Sequence, residues 1–138
     1  MKPPIAVVDT NVIAYLYLTG EYSDLSERLL EHDPDWMAPR LWRSEFRNVL
    51  ALYLRKELLG LQDSLEILEE AERLMSDSEF EVPSAPVMQL AGESGCSAYD
   101  CEFVALARYF RVPLATNDRP LLQAFPDTAQ SVQSIMNS

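Results

Sequence analysis

The stretch Ile5-Ala6-Val7-Val8-Asp9-Thr10-Asn11-Val12-Ile13-Ala14-Tyr15-Leu16-Tyr17-Leu18 decides the fold class. Ile5 to Val8 is an apolar run too short for a helix and suited to a strand buried on both faces, and it ends in an acid. From Asn11 to Leu18 the apolar residues recur at helical spacing, and Thr19-Gly20 stops them. Strand, turn and helix in immediate succession open an α/β unit. An acid at the carboxyl end of such a strand lies where these folds gather reactive groups.

The same alternation continues down the chain. Tyr22 to Glu31 reads as a helix, Asp33-Pro34-Asp35 as a turn, and Trp36-Met37-Ala38 as a second buried strand. Pro39 opens the longest apolar helix, which reaches Leu59 and stops at Gly60. A further helix over Leu61 to Ser76 has Leu61, Leu65, Leu68 and Leu74 as its expected inner stripe. Phe80-Glu81-Val82 reads as a third strand and Ala85 to Glu93 as a helix closed by Gly95. Ser97 caps a helix through Tyr109, Val112 to Thr116 forms a buried strand, Leu121 to Phe125 a short helix, and Val132 to Met136 a last edge strand. Strands alternating with helices predict a mainly parallel sheet covered on both faces, and no repeat or linker divides residues 1 to 138, which read as one domain.

Composition bounds the function classes. A chain of 138 residues with 48% apolar and 24% charged residues is long enough for one core and is ordinary for a globular protein. No window approaches the roughly 20 apolar residues of a membrane span, and Met-Lys-Pro-Pro leads into a strand rather than a signal-peptide core, so a cytoplasmic protein is expected. Cys96 and Cys101 match neither a disulfide framework nor a zinc spacing. His32 is the single histidine and sits in an acidic Glu31-His32-Asp33 segment, which argues against a Ser-His-Asp or Cys-His nucleophile.

The net charge of −11 is unevenly placed. Residues 57 to 81 hold nine acids against Arg73 alone, and so carry eight of the eleven excess negative charges. That segment reads as a solvated helix face, with attraction of a basic partner as the alternative. The rest of the chain is close to neutral once four particular acids are set aside, so phosphate contact there is not forbidden.

Those four are Asp9, Glu45, Asp100 and Asp118. Asp9 closes the first strand and Asp118 follows Thr116 at the end of a later one. Each alone reads first as a helix N-cap. Glu45 shares a helix stripe with Leu41, Trp42, Asn48, Val49 and Leu52, so its carboxylate has a desolvation cost that a cation would offset, unless the first helical turn leaves it exposed. Asp100 follows Ser97 by three positions, as in a capping box, and Glu102 on the neighbouring face ranks as a supporting or substitute acid. Carboxylates converging on one site cannot all ionise without compensation, and hard oxygen donors favour Mg²⁺ or Mn²⁺.

Taken together, Val8-Asp9-Thr10-Asn11-Val12, Arg43-Ser44-Glu45, Tyr99-Asp100-Cys101 with Ala105-Leu106-Ala107, and Ala115-Thr116-Asn117-Asp118-Arg119 resemble the PIN-domain family, and within it the VapC-type toxin ribonucleases. The match runs from residue 5 to about 125. The resemblance implies a three-layer α/β/α sandwich and RNA hydrolysis dependent on one or two Mg²⁺ or Mn²⁺ ions. It further implies a homodimer, an antitoxin partner, metal-site roles for the four acids, and support from Thr10, Asn11, Thr116 and Asn117. Asn117 precedes Asp118, so no second acid adjoins it there.

The expected chemistry is phosphodiester cleavage by metal-activated water, with the acids positioning metal rather than attacking. Arg119 stands nearest the proposed site and is the candidate phosphate contact. Arg40, Arg43 and Arg47 share a face turned away from Glu45 and read as exposed or partner-binding. Two rivals compete with this reading. An aspartyl-phosphate phosphatase would want a second acid where Asn11 stands, and a catalytically silent binding module would use the four acids as caps and surface charge.

Overall fold

A computed structural model describes residues 6–137. The elements run β1 (Val7–Val8), α1 (Thr10–Tyr17), α2 (Ser23–His32), β2 (Ala38–Pro39), α3 (Trp42–Arg55), α4 (Leu61–Met75) and β3 (Glu79–Phe80). They continue α5 (Ser84–Ser94), α6 (Ala98–Phe110), β4 (Leu114–Ala115), α7 (Arg119–Ala124), β5 (Ala129–Gln130) and α8 (Val132–Met136). Ile5, expected to begin the first strand, lies outside the described residues.

All the strand pairings are parallel. β1 pairs with β4, placing Val7 beside Leu114 and Val8 beside Ala115, and β4 pairs in turn with β5. On its other side β1 meets the segment leading into β2: Val7 bridges Met37, and Val8 N donates to Met37 O at 2.9 Å. β2 pairs with β3. The order across the molecule is therefore β3, β2, β1, β4, β5, and the direction in which strands are added reverses between β1 and β4. Helices cover this sheet as a three-layer α/β/α sandwich: α6 packs on β1, β2 and β4 with α5 against it, while α1 packs on α2 and α3, α3 on α4, and α2 on α8. The core is built of Val7, Val8, Ile13, Leu29, Trp36, Trp42, Phe46, Phe103, Leu114 and their apolar neighbours. None of the described helices is long and apolar enough to cross a membrane.

Several boundaries differ from the sequence reading. Val132–Met136 is helix α8 rather than an edge strand: Ser131 Oγ accepts from Ser134 N at 3.1 Å as a cap, and Val132 and Ile135, three apart, face inward together. The edge strand is the short Ala129–Gln130 before it. Pro39 belongs to β2, and the helix begins at Trp42. Proline is tolerated there because the ladder to β3 uses the amides on either side of it, Ala38 N to Ser78 O and Arg40 N to Phe80 O. The helix ends at Arg55, where Glu57 turns the chain in the left-handed region at φ 58°. In α4 the inward face is made by Ser64, Ala71 and Met75, while Leu61 and Leu65 are exposed. Leu68 and Leu74 of the expected stripe do pack against the core, partly buried, and Ser64 and Ala71 complete the inward face that a stripe drawn through leucines alone leaves out.

Arg43, expected on the wet side, is a structural clamp. Its Nε and Nη2 donate to the two carboxylate oxygens of Glu79 at 2.6 and 2.8 Å, the Trp42 indole donates to the same carboxylate at 2.7 Å, and Nη1 lies 3.5 Å from Glu72. Burial alone would raise the Glu79 carboxyl, but the hydrogen bonds from Arg43 and Trp42 outweigh it and hold it below its ordinary value. The clamp ties α3 to the edge strand β3 and to α4. With the Glu79 side chain only 5% exposed, Glu79→Gln should destabilise the protein by about 1–3 kcal/mol at pH 7. A carboxyl lowered in the fold contributes stability above its ordinary pKa and loses it on acidification, so the gap between wild type and variant in denaturant titrations should close as pH falls below about 4. A gap independent of pH would refute the clamp as an ionic device.

Candidate functional site

The reversal of strand order leaves a crevice beyond the carboxyl ends of β1 and β4. Asp9 leaves β1 as the residue before α1, and Thr116 and Asp118 follow β4. The Thr116 hydroxyl donates to Asp9 Oδ2 at 2.8 Å, joining residues 107 positions apart, and accepts from Asp118 N at 3.0 Å. Asp9 stands at the N-cap of α1 without capping it through its side chain. The capping explanation therefore fails for Asp9. It holds for Asp118, whose carboxylate accepts from Leu121 N at 3.3 Å and starts α7.

The other two acids come from helix starts. Glu45 lies in the first turn of α3, half-buried, with Oε1 accepting from the Thr10 hydroxyl at 2.6 Å. Asp100 lies in the first turn of α6, where its amide donates to Ser97 Oγ at 3.0 Å, so Ser97 supplies the forward half of the capping box. Asp9, Glu45, Asp100 and Asp118 together line one cleft of about 230 Å³, completed by Thr10, Asn11, Asn48 and Val49. Of the supporting residues expected from the sequence, Thr10 and Asn11 belong to this lining, Thr116 reaches it only through Asp9, and Asn117 stands apart from it. Its Oδ1 accepts from Val132 N at 3.3 Å, pinning the loop after β4 to the start of α8. Arg119 is exposed at the first position of α7, directly after Asp118. Glu102 is half-buried on α6 outside the lining, close enough for its charge to act on Glu45.

The sequence reading did not single out Asn48 or Tyr15 as candidates. Asn48 stands one helical turn after Glu45, and Tyr15 one turn after Asn11; that spacing is the signal that could have found them.

Among the described residues, no cationic side chain figures among the causes that shift Asp9, Glu45 or Asp100. Burial raises the Asp9 carboxyl from 3.8 to about 6; the Thr116 hydrogen bond opposes this, and the charges of Glu45, Asp100 and Asp118 reinforce it. Burial likewise raises Glu45, against the Thr10 hydrogen bond and with help from Asp100 and Glu102. Asp100 is raised by burial and then by Asp118. Three acids are thus pushed towards neutrality, in part by one another. Such a set stores unfavourable free energy that either protons or a cation can relieve.

Among the described residues, no group of three or more His, Cys, Asp or Glu side chains stands as a ready-made cage for a metal ion. The acids border an open cleft instead. The fit to a divalent cation therefore rests on the donor set, which is all oxygen, multiply anionic and without a soft sulfur or imidazole. Those are the properties of Mg²⁺ and Mn²⁺ sites.

The PIN domain family model matches residues 6–124. Ribonuclease VapC3 of Pyrobaculum aerophilum is 33% identical over 124 residues, covering 87% of this chain and 94% of that protein. Among solved structures, PAE2754 from Pyrobaculum aerophilum superimposes with a TM-score of 0.76 at 19% identity, over 96% of this chain and 88% of its own. FitAcB from Neisseria gonorrhoeae gives 0.68 at 21% identity, over 91% and 95%. A toxin–antitoxin complex from Klebsiella pneumoniae gives 0.62 at 16% identity, over 87% and 89%.

The raised carboxyl of Asp9 makes a measurable prediction. A group raised in the fold stabilises it while protonated; for Asp9 that contribution is complete below pH 3.8 and is lost as pH rises through about 6. In metal-free buffer, Asp9→Asn should therefore gain stability relative to wild type between pH 4 and 7, by roughly 3 kcal/mol at 1.36 kcal/mol per pH unit. Adding Mn²⁺ at pH 7 should stabilise wild type more than the variant. Equal differences at the two pH values would remove the desolvated-acid description of the cleft.

Proposed function

This chain belongs to the PIN-domain family, and from that premise we propose that it is a Mg²⁺- or Mn²⁺-dependent endoribonuclease, the toxin of a toxin–antitoxin pair. The observation that carries the reading is the convergence of Asp9, Glu45, Asp100 and Asp118, from four separate segments, on one cleft that raises three of them. Its kinship with a protein named ribonuclease VapC3 supplies the substrate class, and its likeness in fold to a chain of a toxin–antitoxin complex is in keeping with an antitoxin partner. We further propose a cytoplasmic homodimer.

In this mechanism the four acids are metal-site residues. A divalent cation held among Asp9, Glu45, Asp100 and Asp118 would supply Lewis acidity there, towards an attacking water and the leaving oxygen. The protein's own part is to present and hold the donors. Thr116 orients Asp9, Thr10 orients Glu45 across the gap between α1 and α3, and Asn117 braces the β4 loop through α8. The near-complete burial of Asp9, 8% exposed, keeps water from screening its charge. Arg119, exposed beside Asp118, is our candidate for contact with a phosphate of the incoming strand.

One observation favours the silent-module rival: Asp118 caps α7, and so has a structural role that needs no metal. The phosphatase rival lacks its second acid, because Asn11 stands two residues after Asp9.

Wild type should cleave RNA with Mg²⁺ or Mn²⁺, and both EDTA and Asp9→Asn should lower the rate by at least about 100-fold. Thr116→Val, which removes the group orienting Asp9, should cost about 10- to 100-fold in metal affinity or activity. Full activity in EDTA or in Asp9→Asn would discard the metal-dependent reading, and the absence of any metal-dependent thermal shift would favour the silent module. Arg119→Glu should weaken RNA binding and flatten its dependence on salt by about one phosphate contact; an unchanged slope would take Arg119 out of the site.

A further inference from the structure

The metal cleft accounts for chemistry at one phosphate and leaves open what holds the rest of a polyanion against a protein of net charge −11. Four of the nine arginines, Arg28, Arg43, Arg73 and Arg108, are engaged with Asp24, Glu72 and Glu79, Glu69, and Asp127 respectively, and Arg119 is the cation proposed for the site itself. An uncharged source of binding adds to what so few phosphate contacts supply.

Along α1 that source is present. Asn11 lines the acid cleft, and Tyr15 follows it by four residues, one turn further along the same helix face. The Tyr15 ring lies against Tyr22, at the start of α2, with centroids 5.1 Å apart and planes tilted by 38°. Both rings are half-buried. Burial pushes the Tyr15 hydroxyl up, with the charges of Asp9, Tyr22 and Asp118 adding to it, so the ring stays a neutral phenol. A neutral aromatic pair beside an anionic cleft can contact a nucleobase without repelling the backbone that carries it.

We propose that Tyr15 and Tyr22 form a stacking platform for a base of the RNA strand flanking the phosphate held at the acid cleft. This rests on the ribonuclease reading above. The platform supplies affinity beyond what the metal cleft and Arg119 provide.

The test measures binding and cleavage separately with the full-length protein and an unstructured oligoribonucleotide, either intact or with one abasic position scanned across it. Tyr15→Leu keeps apolar bulk but removes the ring, and Tyr15→Phe keeps the ring. Wild type should lose about 5- to 150-fold in affinity at one abasic position, the range expected for a stacked base. Tyr15→Leu should show the same loss on intact RNA and no further loss at that position, while Tyr15→Phe should behave as wild type. The effect should appear in KM and leave kcat little changed. Tyr22→Leu should give a weaker version, and Mn²⁺-induced thermal shifts should match wild type in all three variants.

Abasic penalties that are the same in wild type and Tyr15→Leu would overturn the platform even if RNA is cut normally. Binding with the Tyr15-dependent abasic penalty but without cleavage would instead defeat the ribonuclease reading and leave the platform standing. Neither binding nor cleavage would overturn both.

Discussion

The hydrogen bond from Thr116 to Asp9, 2.8 Å long and buried, is the contact on which the rest of the site depends. It spans the two parallel strands at which the order of the sheet reverses, and it is made by a neutral hydroxyl to a carboxylate that burial penalises. The bond opposes part of that penalty without cancelling it: Asp9 remains raised to about 6. A stronger compensation, such as an arginine, would have satisfied the acid and left nothing for a ligand to do. The fold presents a carboxylate that is oriented but not neutralised, and the same arrangement recurs in weaker form between Thr10 and Glu45.

The opposite solution appears at the far edge of the sheet. There the Glu79 carboxylate receives two bonds from Arg43 and one from the Trp42 indole, and its pKa falls rather than rises. Both acids are desolvated, and the sign of the shift follows from the partner. Where charge is answered by charge, the carboxylate fastens α3 to β3 and completes a structure. Where it is answered only by hydroxyls and by other carboxylates, it stays poised for a proton or a cation. Trp42 and Arg43 stand only a few residues before Glu45, so one helix start serves both purposes on different faces.

Local signals in the chain carried much of this. The apolar run ending in Val8-Asp9, Gly60 between two helices, Ser97 as a cap and Gly95 as a helix stop each depend on neighbours within a few residues, and each matches the structure at or near its expected position. Errors arose where distant partners decide. Leu61 and Leu65 look like a core stripe by type, but α4 turns Ser64 and Ala71 inward. Val132–Met136 has strand-like composition, yet Ser131 caps it into a helix. Arg43 looked exposed because its partners Glu72 and Glu79 lie about 30 residues further on.

By itself the sequence determined the alternation of strands and helices, the four acids worth weighing and the kinship that names a chemistry, because periodicity, caps and motif spacing are written in short stretches of residues. Only the tertiary structure decided that β1 lies beside β4, that Asp9 escapes the capping role while Asp118 keeps it, that Asn117 braces a loop, and that Tyr15 packs against Tyr22. The reason is that the environment of a carboxylate is set by atoms contributed from across the fold. Its desolvation and its partners do not exist until the chain has closed around it.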